Sequence, residues 1–178
     1  MQRSISLKPD NFDRPRGELE VLAFDAKTGR LIRIFRDGNI VVNLARATMA
    51  HLVSDPGASS QGYVVTTMKF GQGGHDPNNP TLPIPPTTSD TDLNDPIAGN
   101  DATQSVSFDY PDGPMGTKVR FTATIPAVCD INGTPPAGQA ISEAGLFSDN
   151  GNMFAKKTFG ILTKTEEIAF TFRWTIIF

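Results

Sequence analysis

Cysteine occurs once, at Cys129, and histidine twice, at His51 and His75. A lone cysteine excludes an intrachain disulfide and a cysteine-built metal site. As a nucleophile Cys129 would need a base such as histidine beside it. Neither histidine stands in a recognisable motif, so Cys129 reads as a small apolar side chain. Charge of one sign is also lacking: 16 Lys and Arg face 19 Asp and Glu, a net charge of -3. Nucleic-acid binding draws affinity from clustered cations that displace counterions from phosphate, so no sequence-specific nucleic acid is expected as a partner. The one basic cluster, Lys156-Lys157, lies in a strand-like stretch and reads as a solvated face. No window approaches the roughly 20 apolar residues of a membrane span. The stretch MQRSISLKPDNFDRPRGELEV has no apolar run of signal-peptide length. The expectation is a soluble protein without a membrane partner, made in a reducing compartment without an export signal.

What is present is strand periodicity. The 178 residues suit one packed domain over 1–178. Residues 1–16 are polar and read as an N-terminal arm. Leu19, Val21 and Ala23 then alternate with Glu18, Glu20 and Leu22, the turn residues DAKTG follow, and Leu31 to Phe35 form a second apolar run, together a hairpin signal. Asp37-Gly38-Asn39 is expected to close that strand. In NLARATMAHLVSD, Leu44, Ala47, Met49, Leu52 and Val53 recur at helical spacing. This predicts a helix near 44–53, capped by Asn43 and ended by Pro56-Gly57. YVVTTMKFG, QSVSFDY and TKVRFTATIP read as strands, with PDGPMG as a turn. Around Asp149-Asn150-Gly151, strands at 142–148 and 152–159 are expected, joined by a tight type I′ turn.

The chain closes on EEIAFTFRWTIIF. Ile168, Phe170, Phe172, Trp174, Ile176 and Phe178 take every second position, which places them on one face of a strand. Fully burying one such aromatic side chain contributes about 2 to 3 kcal/mol. Phe170, Phe172, Trp174, Ile176 and Phe178, with Phe147 and Phe154 from the preceding hairpin, are the expected core. The alternate positions are polar apart from Ile177 and suit solvent or a wet protein contact. The fold class is therefore mainly β: an antiparallel sandwich or barrel-like domain of about eight strands with one short helix.

Between them lies an extended Pro-rich loop, 71–103. Each proline removes a ladder donor and fixes φ, which argues against a central strand or helix there. Leu82, Ile84, Leu93 and Ile97 are spaced through it. An extended loop laid over its own surface or a neighbour's fits that spacing, so these four are candidate subunit contacts. The candidates for chemistry are thin. Ile141-Ser142-Glu143 has a serine and an acid but no nucleophile elbow. FGQGGHD lacks the Lys and Ser/Thr of a phosphate loop. The run Ser89 to Asp95 offers oxygens that calcium could use, but lacks the Gly and bidentate Glu of an EF-hand, and turn-capping roles fit it better. Glu143 is placed to cap loop amides or face an arginine. No catalytic residue, metal or cofactor is assigned.

The segment ISEAGLFSDNGNMFAKKTFGILTKTEEIAFTFRWTIIF resembles the C-terminal part of a broad group of tailed-bacteriophage virion proteins. The likeness rests on an E-x-G-L-F box (Glu143, Gly145, Leu146, Phe147), then Phe154, Ala155 and Phe159, and a W-x-I-x-F ending at Trp174, Ile176 and Phe178. MKFGQGG and PTTSDTDLNDPI are similar to that group's FGxG and sDTxL segments, and FDAKTGRLIRIFRDGNIVVNLARATMAHLV to its opening hairpin and helix. The proline load from Pro77 to Pro86 departs from the pattern. The resemblance implies a non-enzymatic structural protein of the virion, assembled in the cytoplasm of a bacterial host. Its implied partners are further copies of itself and other virion proteins. The absence of fibre-like repeats favours the neck or collar; a tail-fibre, baseplate or capsid-decorating protein binding a receptor or carbohydrate is the alternative.

Overall fold

A computed structural model describes residues 15–55, 57, 62–129 and 138–178. The arm expected over 1–16 lies almost wholly outside the described residues. Strands β1 (Arg16–Asp25) and β2 (Leu31–Val41) form the first hairpin, followed by helix α1 (Asn43–Ser54) and strand β3 (Val65–Gly71). The Pro-rich segment holds β4 (His75–Asp76) and β5 (Asn79–Pro83), and it runs into β6 (Thr103–Ser105) and β7 (Ser107–Asp109). The chain then forms β8 (Lys118–Ile125), β9 (Gln139–Ser148), β10 (Met153–Lys164) and β11 (Ile168–Ile177).

The strands pair antiparallel into one 9-stranded sheet in the order β6-β3-β9-β10-β2-β1-β11-β8-β7. Its two ends, β6 and β7, are successive pieces of one stretch divided at Val106. The sheet therefore curls until its edges meet, a nearly closed barrel. Closure removes the unpaired edges that an open sheet exposes.

The barrel is filled by alternation. Trp174, Phe172 and Phe170 of β11 lie between Leu19, Val21 and Ala23 of β1 and Phe121, Ala123 and Ile125 of β8. Phe172 and Phe170 each face an alanine on one side, Ala123 and Ala23, which lets the layers interdigitate. Phe172 and Trp174 are fully buried, as is Ile176, and the Phe70 ring approaches that of Phe172 to 4.6 Å between centroids. Phe147 is buried in a second, smaller cluster with Val42, Leu93 and Met153.

Several expectations need correction. Phe178 has the inward phase of its strand but is 51% exposed. It lies beyond the end of β11, held by its amide on the Thr117 carbonyl (2.9 Å), where the opposing wall no longer covers it. Asp37-Gly38-Asn39 do not end β2: they pair with Leu19, Glu18 and Gly17, so the β1 register overrides local turn propensity. The helix buries Ala45 and Thr48, while Ala47, Leu52 and Val53 face outward. Asn43 makes no side-chain cap; its amide bonds the Thr88 carbonyl instead (2.8 Å).

The β9–β10 hairpin has the expected place but another turn. Gly151 alone takes positive φ (84°), and its amide bonds the Ser148 carbonyl. That is the pattern of a three-residue loop, a type I turn with a left-handed glycine, where I′ would need positive φ at Asn150 as well. Asn150 Oδ1 instead receives the Ser148 hydroxyl and the Asn152 amide. The Pro-rich loop also contains regular structure, the two-stranded β4–β5 ribbon, whose prolines sit on a small separate sheet and not in the barrel wall. Among the described residues no helix is long and apolar enough to cross a membrane.

Candidate functional site

Two places on the barrel depart from ordinary packing. The first is a clasp on the outer face of β9 and β10. Glu143 is fully buried there. Its Oε1 accepts the amides of Asp95 (2.8 Å) and Gly73 (3.2 Å), and its Oε2 that of Asn94 (2.9 Å). A carboxylate out of water needs such partners, because burying it unpaired costs several kcal/mol. Lys156 supplies the countercharge 3.7 Å away and donates to the Asp92 carbonyl (3.0 Å) and Asn94 Oδ1 (2.7 Å). It also pairs with Asp90 at 3.2 Å. Burial pushes the Asp90 carboxyl up, but the Thr87 and Lys156 hydrogen bonds outweigh it and hold the group below its ordinary value.

The expectation that Glu143 caps loop amides matches this geometry, with a lysine in place of the arginine. The reading of Lys156-Lys157 as a solvated face does not: Lys156 is 1% exposed, and Lys157 donates to Asp37 at 2.6 Å. The oxygen-rich run Ser89 to Asp95 gathers around the Lys156 ammonium. Its remaining side chains cap turns, Asp90 on Thr87 and Asp92 on the Leu93 amide.

The glycines of FGQGG explain how the loop comes so close. A Cβ on Gly71 would lie 2.5 Å from Glu143 Oε1, and one on Gly74 2.1 Å from the Ser142 carbonyl oxygen. These residues are glycine because the backbone rests directly on β9. Ser142 Oγ accepts the Gly74 amide (3.0 Å) and lies 2.9 Å from His75 Nδ1. Sequence reading missed this Ser–His contact, since the two residues are 67 apart in the chain. Ser142 is fully buried, and its hydroxyl fastens the loop to β9. Cys129 is half-buried against the main core.

The loop carries Leu93 into the cluster with Phe147 and Met153, and Ile97 into the main core. As subunit contacts these two are therefore corrected: both are used within the chain. Leu82 (52%) and Ile84 (41%) remain exposed.

The second place is the barrel mouth beside Phe178. A groove of about 210 Å³ lies there among α1, β7, β8 and the chain end. Leu52, Val64, Phe108, Tyr110 and Phe178 line it and are each between 40% and 59% exposed. Phe108 and Tyr110 meet edge-on at 5.9 Å between centroids. Apolar surface of this kind costs free energy in water and marks contact sites. By contrast, the outer face of β11, β1 and β8 is a charged cleft of about 670 Å³. Glu20 holds Arg36 and Arg173 there, and Arg120 pairs with Asp109 at 2.6 Å. The polar face read from the last strand is this cleft, and its cations are largely met by its own acids.

Among the described residues no group of His, Cys, Asp and Glu is gathered to hold a metal ion. No protein-family model, curated protein or solved structure matches the chain.

Proposed function

We propose that the chain is a structural component of a tailed-bacteriophage particle, an oligomeric neck or collar protein that works by contacts between subunits. The observation that carries this reading is the mouth, where aromatic and aliphatic side chains stand half-exposed at a barrel end among the described residues. Interface centres are enriched in such residues. The segments that carry the resemblance to virion proteins also converge. FGQGG, SDTDLND and SEAGLF meet at the Glu143 clasp, so the likeness follows one three-dimensional feature. The titratable groups gathered there fasten a loop.

The carbohydrate- or receptor-binding alternative draws on the same exposed pair, Phe108 and Tyr110. Their edge-on packing presents no flat stacking platform, so the contact reading is preferred. Light scattering tests it: the purified chain is expected as a multimer, and Phe108→Asp should reduce it toward a monomer without changing its circular dichroism. A wild-type monomer at every concentration, with measurable sugar affinity, overturns the reading.

A further inference from the structure

The subunit reading leaves open what fills the mouth. Strand β1 begins at Arg16, which opposes Ile177, the neighbour of the groove-lining Phe178. Residues 1–14 therefore join the barrel at the end that carries the groove, where Arg16 itself lines the charged cleft. They carry Ile5, Leu7 and Phe12 among polar residues. We infer that the mouth receives residues 1–14 of a second copy of this chain, with Phe12 seated against Phe108, Tyr110 and Phe178. The inference rests on the oligomeric reading above and names its contact.

The direction of the chain at the rim selects a neighbour over the chain itself. Proline disfavours helical backbone at the residue before it, so Pro15 makes the exit from β1 extended. Only Asp13 and Arg14 separate Phe12 from Pro15. A four-residue turn over Phe12 to Pro15 would need Arg14 in near-helical or positive-φ backbone, which the following proline and a non-glycine side chain disfavour. An extended continuation would carry the segment past its own groove. Extended at about 3.3 Å per residue it reaches roughly 45 Å, enough to cross to an adjacent barrel. Ile5 and Leu7 are two apart and share one side of an extended strand, the side that would lie on the apolar wall.

The test uses full-length chains in a Cys129→Ser background. Phe12→Cys chains are mixed with Tyr110→Cys chains and oxidised, against a control mixture with Ile32→Cys, exposed near the opposite end of the barrel. A disulfide between the first two variants is expected in about tenfold excess over the control, because docking raises the local thiol concentration. Without cysteine chemistry, Phe12→Ala should weaken self-association by about tenfold or more, as loss of a buried aromatic anchor does. Equal yields in both mixtures overturn the inference. So does a double variant that closes its disulfide only within one chain, which assigns the segment to its own mouth. If light scattering still gives a multimer in either case, the subunit reading survives and only the occupant is wrong. A monomer at all concentrations removes both.

Discussion

The outer face of β9 and β10 and the mouth beside Phe178 both carry large apolar side chains, and they end differently. Over the first, the chain folds a Pro-rich loop and fastens it with a buried carboxylate, three amides and a lysine. At the second, Phe108, Tyr110 and Phe178 stay half in water. The loop side spends polar groups to fix one geometry, whereas the mouth spends none. The clasp therefore belongs to folding, and the mouth is the surface that the proposed subunit contact would use.

The largest break in that contrast should come from Glu143→Ala. It strips three amides of their acceptor and leaves the buried Lys156 ammonium with Asp90 as its remaining carboxylate, a loss of about 3 to 5 kcal/mol by urea unfolding. A loss below about 1 kcal/mol would make the clasp ornamental. Next come two neighbours on the last strand. Ile176→Ala should cost about 2 to 4 kcal/mol from its cavity, and Phe178→Ala less than about 1 kcal/mol, since that ring is already half exposed. Equal losses would put Phe178 back in the core. Phe178→Ala should instead lower the self-association read by light scattering.

A smaller effect follows from Asp90. Its carboxyl titrates below its unfolded value, so its ion pair stabilises fully above that value, near pH 4. The contribution is lost as pH falls through the lower folded value. Asp90→Asn should lower Tm by a constant amount across neutral and alkaline pH and converge with the wild type in acid, which flattens the acid side of the profile; a parallel shift at all pH values would contradict the assigned pairing. The smallest effect is expected at Leu82→Ser, within about 0.5 kcal/mol, because the side chain touches little. Deleting 77–97 is a different matter. It removes Leu93 and Ile97 from two clusters, so folding and assembly should fail together.

Much of the barrel was legible because period-two alternation is a local signal. Phe170, Phe172, Trp174 and Ile176 fall inside as their spacing says. The same spacing misplaced Phe178, since alternation tells which face a residue takes and not how far the opposite wall extends. The helix misled for a related reason: Ala45 with Thr48 and Met49 with Leu52 are both helical pairs, and only the sheet decides which one is covered. Lys156 read as surface because a lysine's partner is invisible when it lies elsewhere in the chain. Glu143 was legible through its setting in SEAG, but its loop partners were not. Asp37-Gly38 looked like a turn and is a strand, because a full β1 register outweighs two turn-forming residues.

Hydrogen exchange on the wild-type chain at low and high protein concentration separates the two regions in one measurement. The amides of Gly73, Asn94 and Asp95 should exchange slowly and identically at both concentrations. Amides around the mouth, those of Val64, Tyr110 and Phe178, should slow as concentration rises. Concentration-independent exchange at the mouth, or fast exchange at the three clasp amides, would contradict the division between a sealed fold element and an open contact.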